Sequence, residues 1–284
     1  MLALEQNTPE WLEMRRSHIG ASDAPVIMGV SPWKTPYQLW KEKMGLWEQT
    51  QTKAMADGKA IEENARLEFA ALTELFMAPQ IVQHPSHEWM IASLDGIDFS
   101  GKYLLEIKKA NADDHQLAKD GKIPEKYIPQ LQHQLACVPA AEKVYYFSCH
   151  GEDRVIVEVV RDEKYITTLI ERELKFFAHM ENLEAPPLSE RDYIDKDDQA
   201  WLHTSASWLA IQEQLELLKS KEEMLREQLI ALAGKSNCQG GGIRMTRSMR
   251  KGTVDYKTIP ELKGVDLESY RKSAIESWRI SSCV

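Results

Sequence analysis

The chain has little cysteine, no long apolar run and a deficit of positive charge, and each shortage excludes something. Its four cysteines, Cys137, Cys149, Cys238 and Cys283, are far apart and form no CxxC pair. That spacing argues against a zinc site or an iron–sulfur cluster and for ordinary reduced thiols. No apolar stretch approaches the ~20 residues that span a bilayer. The acidic, proline-containing start does not read as a signal peptide, so a cytoplasmic protein with no membrane partner is expected. A net charge of −9 speaks against a nucleic-acid partner, yet the charge is uneven. From Lys235 onward ten Lys/Arg stand against five Asp/Glu, which suits a phosphate backbone or, equally, a plain solvated surface.

What is present is enough for one substantial core. The 284 residues are 43% hydrophobic and 28% charged, ordinary for a globular protein with chain to spare. Three segments separate on pattern: a core over 1–188, a linker and long amphipathic helix over 189–234, and a small basic α+β module over 235–284. In the core, helices are expected over 58–69, 127–138 and 162–180, and strands over 88–94, 103–109, 143–149 and 154–160. Asp95-Gly96 and Ser100-Gly101 read as tight turns, and 113–122 as a polar loop. Helices on both sides of a mixed sheet make an α/β fold.

Beyond the Pro-interrupted exit at 183–190, Trp208, Ile211, Leu215, Leu218, Leu225, Leu229 and Leu232 fall at alternating three- and four-residue spacing. That is a heptad seam, broken only by Glu222 and stopped by Gly234. The module that follows reads as a strand over 243–248, a helix over 267–277 and a final strand over 278–280.

The chemistry concentrates where Asp95 is followed eleven residues later by Glu106-Ile107-Lys108 in an apolar run. Period-two alternation puts Glu106 and Lys108 on one face with Ile107 behind them. Two carboxylates and an ammonium on one rim hold a hard divalent cation and set a water beside a phosphate. A carboxylate, a spacer and Glu-x-Lys is the pattern of the PD-(D/E)xK nucleases, but alone it is weak, because Glu-x-Lys on a strand is usually a structural ion pair.

Further landmarks run in order. They are Trp11-Leu-Glu-Met-Arg15 with Ile19-Gly-Ala-Ser-Asp23, Gly58-Lys59 with Glu62 and Asn64-Ala-Arg66, Ser93-Leu-Asp-Gly96, Leu105-Glu-Ile-Lys108, and Tyr127 with Gln130-Leu-Gln132 ahead of Arg161-Asp-Glu-Lys-Tyr165. Over residues 9–180 this series resembles the lambda exonuclease, or YqaJ-type viral recombinase, family. The resemblance implies a restriction-endonuclease-like core. It also implies a Mg²⁺-dependent 5′→3′ exonuclease that acts on double-stranded DNA ends in phage or prophage recombination, with Mn²⁺ able to substitute.

Carried over residue by residue, Asp95 and Glu106 are the metal carboxylates, the Ile107 carbonyl a further ligand and Glu62 a contributor to a second metal position. Lys108 matches the lysine that orients or helps deprotonate the attacking water. Arg15, Ser22, Ser93 and Gln132 match residues that grip phosphate. A single-strand annealing protein as partner and a homo-oligomeric ring, a trimer or tetramer, are likewise implied. Lys109 departs from the family's frequent Cys-Pro after the lysine, on the side facing away from the catalytic rim.

Other readings of the same residues stand beside these. Ser22 caps the helix that follows it in the plainer reading. Gln132 is then a polar helix position, and Glu62 a solvated carboxylate. His18, His84, His87, His115 and His133 have no mutual ligand spacing. Trp33, Trp40 and Trp47 recur every seven residues, for core packing or, more sharply, for base stacking. At the level of function, the alternatives are a structure-specific or CRISPR-adaptation-type endonuclease and a non-catalytic DNA-end-binding scaffold.

Overall fold

The structure, a computed structural model, describes residues 8–47 and 53–246. The chain divides into two compact units, Met1–Tyr193 and Ile194–Val284. Strands β3 (Met90–Asp98) and β4 (Tyr103–Lys109) form the centre of the first unit. They are joined by a turn in which Asp98 accepts from Ser100 N at 3.0 Å and Tyr103 N at 2.7 Å, while Gly101 takes a φ of 73°. An Asp that bonds its own downstream amides builds such a turn locally. Strand β5 (Lys143–His150) pairs parallel with β4, and β6 (Asp153–Val160) antiparallel with β5. Strand β1 (Ile19–Gly20) runs parallel to β3 and β2 (Met77–Gln83) antiparallel to it. The result is a mixed six-stranded sheet.

Helices cover both faces, as expected. Ala65 and Phe69 of α4 (Lys53–Thr73) pack on Leu105, Ile107, Tyr145 and Phe147. On the opposite face Leu131, Leu135 and Ala136 of α6 (Ile128–Cys137) meet Leu94, Leu104, Val144 and Tyr146. Helix α7 (Glu163–Glu181) lies against α6. Leu105 and Ile107 therefore face one layer, and Leu104 and Glu106 the other. A one-residue slip of β4 would turn Glu106 into the apolar layer beneath α4, where an unpaired buried carboxylate is strongly disfavoured. The packing thus fixes the side on which Glu106 and Lys108 emerge.

Three expectations need correction. Asp95-Gly96 is not a turn; it lies inside β3, at a bulge. Ala78 pairs with Ile97 and Gln80 with Leu94, so Asp95 and Gly96 together oppose the single Pro79. Proline has no N–H to give the ladder, and the extra residue of β3 is accommodated there. Gly96 serves close approach, since a Cβ would sit 2.6 Å from Met77 Cβ. The loop expected at 113–122 contains helix α5 (Ala112–Lys119), whose first turn is capped by the Asn111 side chain accepting from Asp114 N at 2.8 Å. Strand β2, for which no element was expected, completes the edge.

The second unit holds helix α8 (Gln199–Ala233), longer at its start than the seam alone indicates, and a hairpin of β7 (Cys238–Gly240) and β8 (Ile243–Met245). The expected helix at 267–277 and strand at 278–280 lie outside the described residues. Among the described residues no helix is long and apolar enough to cross a membrane.

Candidate active site

Strand β3 has β2 along one edge, while β1 and β4 share the other. Strand β1 pairs at Met90 and Ile91, and β4 at Gly96 and Ile97. Between them the edge from Ala92 to Asp95 has no strand partner among the described residues, and β4 splays away beyond Leu105. Asp95 stands where the strands part. Its Oδ2 accepts from Ile107 N at 2.8 Å, satisfying an amide that the missing ladder leaves free. Its backbone carbonyl takes a longer bond from Arg66 Nη1 of α4 at 3.4 Å.

Glu106 is 2% exposed and is held from three directions. Lys108 Nζ donates to its Oε1, Gln130 Nε2 donates to Oε1 at 2.6 Å, and Gln134 Nε2 donates to Oε2. Both glutamines come from α6, one turn apart on the face toward β4. Lys108 also lies 5.2 Å from the Tyr127 ring centroid. Burial, with the like charge of Glu106 next, pushes the Asp95 carboxyl well above the usual range, and Glu62 adds to the push. Burial pulls Lys108 down, but Glu106 and Asp95 outweigh it and hold the ammonium above its ordinary value. The structure therefore brings Asp95, Glu106 and Lys108 into one electrostatic cluster, with Glu62 acting on it.

The chemistry of these donors bears on a metal. They are oxygens, and the excess negative charge at Asp95 is what a hard divalent cation neutralises. Among the described residues no group of three or more His, Cys, Asp or Glu side chains is set to hold an ion. Two carboxylates completed by backbone carbonyl and water oxygens are enough for Mg²⁺, which keeps much of its hydration. The residues fit a two-carboxylate site and not a closed cage.

At the other end of the open edge, α1 (Pro9–Ser17) and the turn after β1 present a second cluster. Arg15 Nη2 donates to Ser22 Oγ at 2.9 Å and lies 3.8 Å from Asp23 Oδ1, with its guanidinium 5.0 Å from the Trp11 ring centroid. Ser22 is not the expected helix cap. The 3-10 turn Ala21–Asp23 is capped by Gly20, whose amide donates to Asp23 Oδ2 at 2.9 Å. Buried Asp23 pairs with Lys43 of α3 (Pro36–Lys43) at 2.6 Å. Burial would raise Asp23, but Lys43 and Arg15 overcome it and hold the carboxylate low. Burial draws Lys43 down in turn. Its Nζ also donates to Arg15 O at 2.6 Å and His18 O at 2.7 Å, so the ammonium is the form this geometry holds. Ser93 lies half-buried within the open edge itself.

Gln132 is placed differently from the expectation. It is 4% exposed; its Nε2 donates to Val160 O at 2.9 Å and its Oε1 accepts from Asp162 N at 3.0 Å. Its amide braces the β6–α7 connection, with one N–H engaged at Val160 O and its oxygen at Asp162 N.

Sequence reasoning took Tyr127 and Gln130 only as landmarks, without a role, and passed over Gln134. The signal was the i, i+3 and i+7 spacing of Tyr127, Gln130 and Gln134, which puts them on one side of a helical segment. A rim also went unread. Trp33 is 64% exposed, 6.3 Å from the Tyr127 ring, and Lys126 lies 5.3 Å from both rings. Trp40 is core, and Trp47 is exposed. Beside Lys108 in register, Ser148 bonds His115 Nδ1 at 2.8 Å, and His115 Nε2 lies 3.3 Å from Asp153. The order resembles a nucleophilic triad, but Ser148 is fully buried and ties β5 to α5.

Residues 10–141 match the family model described as the YqaJ-like viral recombinase domain. The YqaJ protein of Bacillus subtilis (strain 168) is 28% identical over 79% of this chain and 78% of its own length. Among solved structures, an alkaline exonuclease from Laribacter hongkongensis superposes with a TM-score of 0.55 at 23% identity, covering 71% of this chain and all of that one. The same enzyme in complex with dAMP gives 0.54 at 21% identity over the same shares.

Proposed function

We propose that this chain, with its YqaJ-like viral recombinase domain match over residues 10–141, is a Mg²⁺-dependent exonuclease that digests double-stranded DNA from its ends, 5′→3′, in recombination of the phage type. The observation that carries the reading is the meeting of Asp95, Glu106 and Lys108 at the point where β3 loses its strand partner. The alkaline exonuclease activity of the Laribacter neighbour supports the reaction class. That enzyme is also known in complex with dAMP, a single nucleotide.

In this reading Asp95 and Glu106, with the Ile107 carbonyl and Glu62 nearby, hold the cation. A divalent ion bound there would neutralise charge on the scissile phosphate and lower the pKa of water. Gln130 and Gln134 fix the Glu106 carboxylate so that it does not swing with each turnover. Lys108, kept as an ammonium, donates to the attacking water or to a phosphate oxygen. Arg15 and Ser22 form a cradle for a terminal 5′-phosphate, where a guanidinium fork is well matched to phosphate oxygens. Ser93 sits between cradle and cation. A single-strand annealing partner and a homo-oligomeric ring belong to the same reading.

The test is digestion of end-labelled linear and circular duplex, with and without a 5′-phosphate, in Mg²⁺ and in EDTA. The expected result is loss of label from linear duplex only, in Mg²⁺ only. Glu106→Ala should abolish it while circular dichroism stays native; full activity in that variant would remove the site. Arg15→Ala should weaken chiefly the preference for phosphorylated ends. Equal loss on both substrates speaks against the cradle, and digestion of circles speaks for an endonuclease.

A further inference from the structure

We infer that α8 is a self-association surface, on which the α8 helices of two copies of this chain pair antiparallel as a two-stranded coiled coil. The helix runs from Gln199 to Ala233, ~52 Å at 1.5 Å per residue. It is closed at one end by Asp198, which accepts from Trp201 N at 2.9 Å, and at the other by Gly234 with a φ of 58°. No residue along it is buried. Ile211, Leu215, Leu218, Leu225, Leu229 and Leu232 are all exposed, from 37% at Leu229 to 84% at Leu232. So long an apolar seam is seldom left in water, because a helix draws most of its stability from covering such a face.

The charge pattern says what covers it. In heptad letters Trp208, Leu215, Glu222 and Leu229 fall at a, and Ile211, Leu218, Leu225 and Leu232 at d. The flanking e and g positions are Gln212, Gln214, Lys219, Lys221, Arg226 and Gln228, with cations and no anion among them. Two parallel copies would set Glu222 against Glu222 in the seam and Lys221 against Arg226 across it, and both contacts repel.

Turned antiparallel with full overlap, every layer fills. Trp201 meets Leu232, Thr204 meets Leu229, Trp208 meets Leu225, Ile211 meets Glu222 and Leu215 meets Leu218. Each flanking cation then faces a neutral side chain: Arg226 faces Ser205, Lys219 faces Gln212, and Lys221 faces Gln214. The Glu222 carboxylate lands opposite Ile211, between the amides of Gln212 and Gln214, which can donate to it. One orientation leaves no like-charge contact. The other leaves two.

This association is independent of the nuclease reading, since a failed digestion assay leaves its masses unchanged. The test uses the full chain. Light scattering should give an even multiple of the 32.6 kDa chain mass, and Leu215→Lys with Leu218→Lys should halve it while the helical signal persists. A single-chain mass for the unaltered protein, as expected if residues 235–284 or a foreign partner cover the seam, overturns the inference. So does an unchanged mass in the double variant. Orientation is read by disulfide trapping in a Cys238→Ser/Cys283→Ser background. Ile211→Cys chains mixed with Glu222→Cys chains should cross-link, and neither alone should. A disulfide formed by either alone would show the parallel arrangement and sink the proposal.

Discussion

At the scale of residues, the cluster is held by neutral donors as much as by opposite charge. Gln134 is fully buried and spends its amide on Glu106. Gln134→Ala should therefore lower digestion ~10–100-fold, the usual cost of removing a group that orients a ligand, and raise the Mg²⁺ needed for half-maximal rate. A variant with unaltered Mg²⁺ response would mean that Lys108 and Gln130 position the carboxylate without it. A second buried pair sets pH dependence. His133 donates from Nε2 to Ile91 O at 2.9 Å and shares Nδ1 with Glu173 at 2.8 Å. Burial opposes its charge, but Glu173 wins and raises it well above 6.5. Burial raises Glu173 as well; the direction that follows from two acceptors on one ring is the upward shift of the imidazole. Stability from His133 is then full below about 6.5 and lost as pH rises through the higher folded value. Thermal melts from about pH 7 to 9 should show Tm falling in the wild type but flat for His133→Gln/Glu173→Gln; parallel slopes would refute the coupling. Asp95, Glu106 and Lys108 were legible from spacing, and Arg15 and Ser22 from resemblance. Gln130 and Gln134 were not, because an amide acquires its task only once α6 packs against β4.

At the scale of elements, what could be read followed local signals. Strands β4, β5 and β6 and helices α6 and α7 announced themselves by periodicity and turns. Helix α5 did not, since its polar sequence is ordered by contacts made elsewhere: Lys126 on Asp114 at 2.7 Å and Ser148 on His115. Strand β2 hid because Pro79 interrupts it, and that same proline makes the bulge that carries Asp95. The backbone is tight there. Gly96→Ala should cost ~1–3 kcal/mol through the clash with Met77, lowering Tm by on the order of 5 °C, and should reduce digestion by displacing Asp95. An unchanged melt would mean that β2 can yield at no cost.

For the whole molecule, the first unit ends in a clasp. Arg191 donates to Ser31 O and Pro32 O, each at 2.9 Å, and Thr35 donates to Asp192. Just beyond, residues 194–198 are exposed and belong to neither helix nor strand. Limited trypsin digestion should accumulate a folded fragment ending at Lys196 that still digests duplex, and mass spectrometry would identify it. Absence of that fragment would show that the units are not separable. The seam of α8 was plain in the sequence, whereas the side it turns to a neighbour required the full register of its charges. The bare edge of β3 has one more consequence. Unpaired strand edges ordinarily template foreign chains and seed aggregation, but this one runs only from Ala92 to Asp95 and is fenced at both ends by β1 and β4. It is too short for an intruding strand to zip onto, so the protein can keep a working slot open in the middle of its sheet without inviting fibrils.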